Sequence, residues 1–264
     1  MSKLILTDMD GTFLNSQGDF NRELFKQLMT EQEVVFAPCT GKQSERVEEI
    51  FGEDAADFWI LGDSASRIKR NGAVVYESLL ENRTGRAILR ELEEMQLGHT
   101  LIACTKEAAM IKTDLSPEES AAVRRSYKKV VTVADFGSIE DDFIKITVRD
   151  MQERCIETAE KLAAFRNRAH IVASEKAWLD ITDLNVHKGS TVAHLQELLQ
   201  VTPEETMVFG DGMNDIEMMK SGRYSFAVRN AYPIIKDTAA FTTGRTNDED
   251  AVSHTILQLL ALQG

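Results

Sequence analysis

The chain has 264 residues, of which 43% are hydrophobic, and a formal net charge of −13 at neutral pH. This length suits one large domain or two moderate ones, and the negative charge disfavours nucleic acid or an anionic membrane as a partner. Three widely spaced cysteines argue against a disulfide framework, and no early basic segment leads into a long apolar stretch. We therefore expect a cytoplasmic protein that binds neither nucleic acid nor membrane.

The first part of the chain alternates between strand and helix patterns. Such alternation is typical of a parallel sheet with helices on both faces. The predicted strands are "LILTD" (4–8), "VVFAPCTG" (34–41) and "FWILGD" (58–63), and the predicted helices are "NRELFKQLMTEQ" (21–32), with Leu24, Phe25 and Leu28 inward, and "SERVEEIF" (44–51). Asn71-Gly72, between the two apolar-alternating arms of residues 66–78, then predicts a β-hairpin.

From about Thr84 to Asp183 the strands often adjoin one another, as in an α+β layer with an antiparallel sheet. Here we predict helices at 84–96, 116–129 and 151–165 and strands at 100–105, 108–111, 143–149, 169–174 and 178–183. The alternation then resumes with helices at 188–200, 214–222 and 250–262 and strands at 206–211 and 225–228. The sequence thus predicts an α/β core with a doubly wound parallel sheet, residues 1–83 and 186–264, and an inserted α+β domain, residues 84–185.

Chemically active side chains stand where the predicted core strands end. In open α/β sheets, ligands bind outside the carboxyl ends of the strands. The residues concerned are Asp8 and Asp10 after the first strand, Thr40 after the second, Lys188 at the start of a helix, and Asp211, Asn214 and Asp215 after a late strand. Crowded carboxylates repel each other, and a divalent cation such as Mg²⁺ relieves that repulsion.

Four motifs carry a family resemblance. In order and spacing, "DMDGTFL", "TGK", "HKGSTVAHL" and "GDGMNDIEMM" resemble those of the haloacid dehalogenase (HAD) superfamily of phosphatases. The insertion between the second and third motifs is similar to the cap of the Cof-type members. The resemblance covers the whole chain and implies a Rossmann-like HAD core; we call residues 84–185 the cap.

The resemblance also implies a role for each motif residue. Asp8 would be the nucleophile that forms an aspartyl-phosphate, and Asp10 would act as general acid and then general base. Mg²⁺ would be held by Asp8, the backbone carbonyl of Asp10 and Asp211, with Asp215 orienting that shell. The implied phosphate-binding groups are Thr40, Lys188 and Asn214, with the backbone amides of Gly41 and of Met9 to Gly11.

The implied substrate is a small phosphomonoester, such as a sugar phosphate, a phosphorylated cofactor or a nucleotide, handled by a monomer or homodimer. Two departures from the family pattern bear on the pocket. Lys42 stands where arginine is usual, which removes a planar fork for bidentate contact. Asp63 and Ser64 occupy the place of a common "NGA" segment, so we expect an altered pocket floor there.

Two other classes of function stay open at this point. A phosphomutase or phosphotransferase of the same superfamily would pass the phosphoryl group to a hydroxyl instead of water. A non-enzymatic signalling module also accepts phosphate on an aspartate of a parallel sheet. The signalling class has no use for a general acid two residues past the phosphoacceptor, nor for an insertion that can close over a substrate.

Overall fold

The computed structural model describes residues 3–30 and 34–261. The predicted helix residues 31–32 and 262 lie outside the described residues. No helix in the two described ranges is long and apolar enough to cross a lipid bilayer.

The first part of the chain forms the predicted strands and helices. They are β1 (Leu4–Thr7), α1 (Arg22–Thr30), β2 (Val35–Pro38), α2 (Ser44–Phe51), β3 (Trp59–Gly62), β4 (Arg67–Arg70) and β5 (Ala73–Glu77). In α1, Phe25 and Leu28 are buried as predicted, whereas Leu24 is only partly buried. The hairpin is confirmed: Asn71 and Gly72 both have positive φ angles, as the tight two-residue turn between β4 and β5 requires.

The cap contains one six-stranded sheet. Its elements are α3 (Asn82–Glu94), β6 (Thr100–Cys104), β7 (Ala109–Lys112), α4 (Pro117–Ser126), β8 (Val130–Val133), β9 (Lys145–Arg149), α5 (Cys155–Lys161), β10 (Ala169–Glu175) and β11 (Trp178–Asp183). The strand order is β10-β11-β9-β6-β7-β8. Neighbouring strands are antiparallel as predicted, except that β7 and β8 are parallel.

Three cap predictions need correction. Strand β8 was not predicted, because the helix pattern was extended up to it. Helix α4 ends at Ser126 instead of residue 129, since the next residue, Tyr127, is extended and buried. Helix α5 begins at Cys155 instead of residue 151, because the Asp150 carboxylate accepts the backbone N–H groups of Gln152 and Arg154 and holds a turn there.

The last part of the chain returns to the core. It forms α6 (Lys188–Leu199), β12 (Thr206–Gly210), α7 (Ile216–Met219), β13 (Tyr224–Ala227), α8 (Pro233–Thr238), β14 (Phe241–Thr242) and α9 (Ala251–Ala261). The sequence did not predict the short elements α8 and β14. The predicted helix 214–222 divides into a 3₁₀ turn, Met213–Asp215, and the single helical turn of α7.

The core sheet brings distant segments together. Its order is β14-β13-β12-β1-β2 with all neighbours parallel, so the predicted α/β core is confirmed. Strand β1 lies between β12 and β2, and the N–H of Asp8 donates to the carbonyl of Phe209 at 2.9 Å. In contrast to the prediction, β3 joins β4 and β5 in a separate antiparallel sheet and meets β2 through one parallel bridge, Cys39 to Leu61. The domain boundaries near residues 84 and 185 stay a proposal.

Separate apolar clusters stabilise the core and the cap. In the core, the Phe25 ring lies 5.2 to 6.2 Å, centroid to centroid, from five other phenylalanines. These are Phe13, Phe20, Phe36, Phe51 and Phe58. The cap buries its own apolar clusters, one around Phe143 and one around Ile102. The core and the cap therefore bury separate apolar clusters.

We predict that Phe25→Ala lowers the free energy of unfolding by roughly 3 to 5 kcal/mol, because it leaves a cavity at the centre of the phenylalanine cluster. The control is Phe241→Ala, since Phe241 is 49% exposed and stacks on the ring of Phe226. Its expected cost is about 1 kcal/mol or less. Chemical denaturation measures the free energy of unfolding of both variants. Equal losses of stability would contradict the proposal that the phenylalanine cluster contributes strongly to the stability of the core.

Candidate active site

Asp8 is buried directly after β1. Its Oδ1 accepts the N–H of Met9 at 2.7 Å and the ammonium of Lys188 at 2.9 Å. Within the described residues, Oδ2 accepts no hydrogen bond, so one carboxylate oxygen remains available. Burial raises the pKa of Asp8; Lys188 opposes this, and Asp215 and Asp211 add to it.

Lys188 joins two carboxylates. Its ammonium lies 2.6 Å from Asp215 Oδ1 as well as 2.9 Å from Asp8. Asp215 is fully buried, and its Oδ2 accepts the backbone N–H groups of Asp211 and Gly212, both at 2.9 Å. Burial alone would lower the pKa of Lys188, but Asp215 and Asp8 raise it well above its usual value. The lysine therefore stays charged.

The position of Lys188 follows from the start of helix α6. His187 is the N-cap residue, and its Nδ1 accepts the backbone N–H of Ser190 at 3.1 Å. The hydroxyl of Thr191 donates to the carbonyl of Ala65 at 2.6 Å, which ties this first turn to the segment after β3. Lys188 therefore begins a helix whose first turn is fixed on both sides.

Asp211 completes a cluster of three acids. Its Oδ1 accepts the hydroxyl of Thr12 at 2.5 Å, and burial, followed by the charge of Asp215, raises its pKa to about 7. One carboxylate oxygen from each of Asp8, Asp211 and Asp215 lies within 4.8 Å of the others. Hard oxygen donors at this spacing fit a divalent cation, which would offset the repulsion between these carboxylates.

The turn after Asp8 packs tightly against Asp211. Gly11 has a φ of +71°, and a Cβ placed on it would lie 2.5 Å from Asp211 Oδ2. Its carbonyl accepts the side-chain amide of Asn230 at 2.7 Å. Of the amides expected near phosphate, that of Met9 donates to Asp8 instead.

Thr40 and Lys42 lie on the loop after β2. Thr40 is buried, and its Oγ1 accepts the backbone N–H of Lys42 at 3.2 Å. The ammonium of Lys42 lies 3.0 Å from Asp10 Oδ1, while the Asp10 side chain is 54% exposed. The carboxylate of Asp10 thus lies apart from the three-acid cluster, and Lys42 is its partner.

A cavity of about 350 Å³ opens beside these groups, between the core and the cap. The core side includes the predicted residues Asp8, Asp10, Thr40, Gly41, Asp211 and Asn214. The cap side includes Tyr127, Lys145, Thr147, Glu175, Trp178 and Asp180. Asn214 therefore borders the same space as the acids, whereas Lys188 lies buried behind Asp8.

Sequence reasoning did not identify the cap residues of this cavity. A signal was present, since "FIKITVR" and "WLDITD" each place a charged residue between the apolar residues of a strand, ahead of the charge at its end. Lys145 and Asp180, which supply those charges, form a buried ion pair at 3.3 Å. Asp63 and Ser64, which were expected at the pocket floor, do not line this cavity. Asp63 accepts a hydrogen bond from the hydroxyl of Ser44 at 2.6 Å, and Ser64 accepts one from the ammonium of Lys145 at 3.1 Å.

A family model described as haloacid dehalogenase-like hydrolase matches residues 5–256. The chain belongs to this family. It is 28% identical over 255 residues to the 5-amino-6-(5-phospho-D-ribitylamino)uracil phosphatase YbjI of Escherichia coli, covering 94% of this chain and 92% of YbjI. It is 26% identical over 263 residues to the phosphatase YcsE of Bacillus subtilis, named for the same compound, covering 96% and 94%.

The fold agrees with this membership of the HAD-like hydrolases. The crystal structure of SMU.1108c from Streptococcus mutans matches with a TM-score of 0.93 at 26% identity, covering 99% of this chain and 100% of that one. The predicted HAD-like core with an inserted cap is therefore confirmed. The prediction of a phosphoric monoester hydrolase of this family is likewise confirmed.

We predict that Gly11→Ala lowers phosphatase activity by about 10²-fold or more, because the new methyl group displaces the Asp211 carboxylate. Gly18→Ala is the matched control, since Gly18 also has a positive φ but nothing within 4 Å of its Cβ position. Both variants should lose about 1 kcal/mol of stability from backbone strain. Activity assays and thermal unfolding separate the two effects, and an active Gly11→Ala enzyme would refute the packing argument.

Proposed function

We propose that this HAD-type phosphatase hydrolyses small phosphomonoesters through a phosphorylated Asp8, with Mg²⁺ as its cofactor. One observation carries the proposal: three carboxylates and Lys188 converge at the carboxyl ends of β1 and β12, beside a cavity between core and cap. A metabolite-sized phosphate ester fits this arrangement of acids, buried positive charge and enclosed space.

Asp8 would be the nucleophile. One of its oxygens attacks phosphorus, a new O–P bond forms, and the bond from phosphorus to the leaving oxygen breaks. Its Oδ1 is held by the Met9 amide and Lys188, which fixes the carboxylate in one orientation. Water then attacks the phosphorus of the aspartyl-phosphate, releases inorganic phosphate and restores the Asp8 carboxylate.

Asp10 would move the protons. It donates a proton to the leaving oxygen in the first step and removes one from the attacking water in the second. Its side chain is half-exposed at the cavity, where the leaving group would lie, and its ion pair with Lys42 holds it there. We therefore assign Lys42 to orienting Asp10.

The phosphoryl group would be bound from the core side. Lys188 contributes positive charge next to Asp8, and Thr40 and Asn214 contribute a hydroxyl and a side-chain amide. Asp8 and Asp211, with the backbone carbonyl of Asp10, would hold Mg²⁺, while Asp215 orients the surrounding groups through its bonds to two amides and Lys188. Bound Mg²⁺ would neutralise negative charge on the phosphoryl oxygens.

The cap side of the cavity indicates the chemistry of the leaving group. Tyr127 and Trp178 offer aromatic faces, and Thr147, Glu175 and Asp180 offer polar atoms. Such a wall suits a leaving group with hydroxyl or amino groups and a flat or aliphatic part. A sugar phosphate, a phosphorylated cofactor or a nucleotide has this character, and the compound that names YbjI and YcsE is a suitable first substrate to test.

Three further predictions belong to this proposal: a cytoplasmic location, a monomeric or homodimeric state, and water as the phosphoryl acceptor. The phosphomutase or phosphotransferase alternative differs only in the acceptor. Formation of inorganic phosphate and alcohol product in equal amounts would favour hydrolysis. Transfer of the phosphoryl group to an added sugar would favour the alternative.

We predict that Asp8→Asn lowers turnover by at least about 10³-fold without unfolding the protein, because the amide is a poor nucleophile of nearly the same volume. Asp19→Asn, at an exposed aspartate paired with Arg22, is the control and should retain full activity. Phosphate release and circular dichroism measure the two properties. Substantial turnover by the Asp8→Asn variant would count against covalent catalysis through Asp8.

We also predict that excess chelator abolishes turnover and that added Mg²⁺ restores it. Mg²⁺ should raise the thermal unfolding midpoint of the wild type, because a ligand that binds only the folded state stabilises it. The same ion should have much less effect on Asp211→Asn, which lacks one carboxylate of the cluster. Undiminished rates in chelator, or equal stabilisation of both proteins, would contradict the metal assignment.

A further inference from the structure

Lys145 is a charged cap residue that reaches into the core. It lies on β9 and is 2% exposed, and its ammonium donates to the backbone carbonyl of Gly41 at 2.7 Å and to the hydroxyl oxygen of Ser64 at 3.1 Å. Both acceptors belong to core loops. Its third partner is Asp180 of the cap, at 3.3 Å. A buried ammonium needs all such partners, because desolvation of an unpaired charge is costly.

The cap holds this ammonium in place through a chain of hydrogen bonds. Thr147, opposite Asp180 in the sheet, donates to the same Asp180 oxygen as Lys145, at 2.7 Å. The hydroxyl of Tyr127 in turn donates to Thr147 at 3.1 Å, and its ring lies 5.6 Å from the Lys145 ammonium. Burial alone would lower the pKa of Lys145, but Asp180 raises it well above its usual value, so the residue remains a cation.

Gly41, one of the two core partners of Lys145, lies at the centre of the loop from Thr40 to Lys42, which we call the catalytic loop. Gly41 stands between Thr40, assigned to the phosphoryl group, and Lys42, which pairs with Asp10. The carbonyl of Thr40 also accepts the N–H of Ser64 at 3.1 Å. Rotation of the Gly41 peptide would therefore shift the phosphate-binding hydroxyl on one side and the cation that orients the general acid on the other.

We propose that Lys145 is a positioning residue, which holds the loop from Thr40 to Lys42 in its reactive arrangement only while the cap lies against the core. The inference rests on the proposed function, because it assumes that this loop serves phosphoryl transfer. Opening of the cap would remove Gly41 and Ser64 from the ammonium and leave Asp180 as its partner. Cap closure and alignment of the catalytic loop would thus be one event.

Lys145→Met tests the proposal, since it removes the charge and shortens the unbranched side chain by only one atom. With phenyl phosphate, whose ring carries no hydrogen-bonding group, we expect kcat to fall by about 10²-fold and KM to change by less than about threefold, because a misplaced loop weakens the transition state most. The matched control is Lys112→Met, which removes a lysine of the same cap sheet paired with Glu93. It should change kcat by less than about twofold.

Ser64→Ala provides a second variant that leaves the cap and all charges intact. It removes one core partner of Lys145 and should lower kcat in the same direction by about threefold to tenfold. Near-ultraviolet circular dichroism at the assay temperature shows whether each variant is folded. If Lys145→Met does not fold, an unchanged kcat in Ser64→Ala overturns the proposal, and a lowered kcat supports it.

The outcomes also separate the inference from the proposed function. An active wild type together with a folded and equally active Lys145→Met variant refutes the positioning role alone. A parallel loss of kcat in Lys112→Met would show a general disturbance of the cap and refute it as well. A wild type that hydrolyses no phosphomonoester would refute the proposed function and this inference with it.

Discussion

The central constraint on the active site is the repulsion between three carboxylates that the core sheet holds close together. Asp8 follows β1, and Asp211 and Asp215 follow β12, so parallel pairing of these strands fixes the distances between the carboxylates. The buried ammonium of Lys188, which contacts Asp8 and Asp215, offsets part of the negative charge of these acids. The two backbone amides that donate to Asp215 offset a further part. Burial and the remaining repulsion together raise the pKa values of Asp8 and Asp211. A site with this excess of negative charge suits a cation and a phosphoryl group together.

The sequence revealed this part of the molecule because two strong signals coincide there. Buried parallel strands are nearly continuous apolar runs, and the chemically active residues stand directly after them. Asp8, Thr40 and Asp211 were assigned to one edge on that basis. The hairpin was also predictable, since an Asn-Gly pair favours the two positive φ angles of a tight turn, and Asn71 and Gly72 adopt them.

Other features depend on contacts between segments that no local pattern contains. Strand β8 and helix α8 span only four and six residues, which is too short for a clear periodicity of apolar residues. The turn that delays α5 depends on one side chain, Asp150, binding backbone groups ahead of the helix. The reach of Lys145 across to Gly41 depends on how the cap lies on the core, and a charge inside a strand does not specify its partner.

The pairing of β1 with β12 has a consequence for biosynthesis. Strand β1 is synthesised about two hundred residues before its neighbour β12. Until then one edge of β1 has unpaired backbone groups, which favours association with other nascent chains or with chaperones. The cap sheet and its apolar clusters are complete in the chain before β12 is made. Translation that stops before β12 would therefore release a chain whose core sheet is incomplete and prone to aggregation.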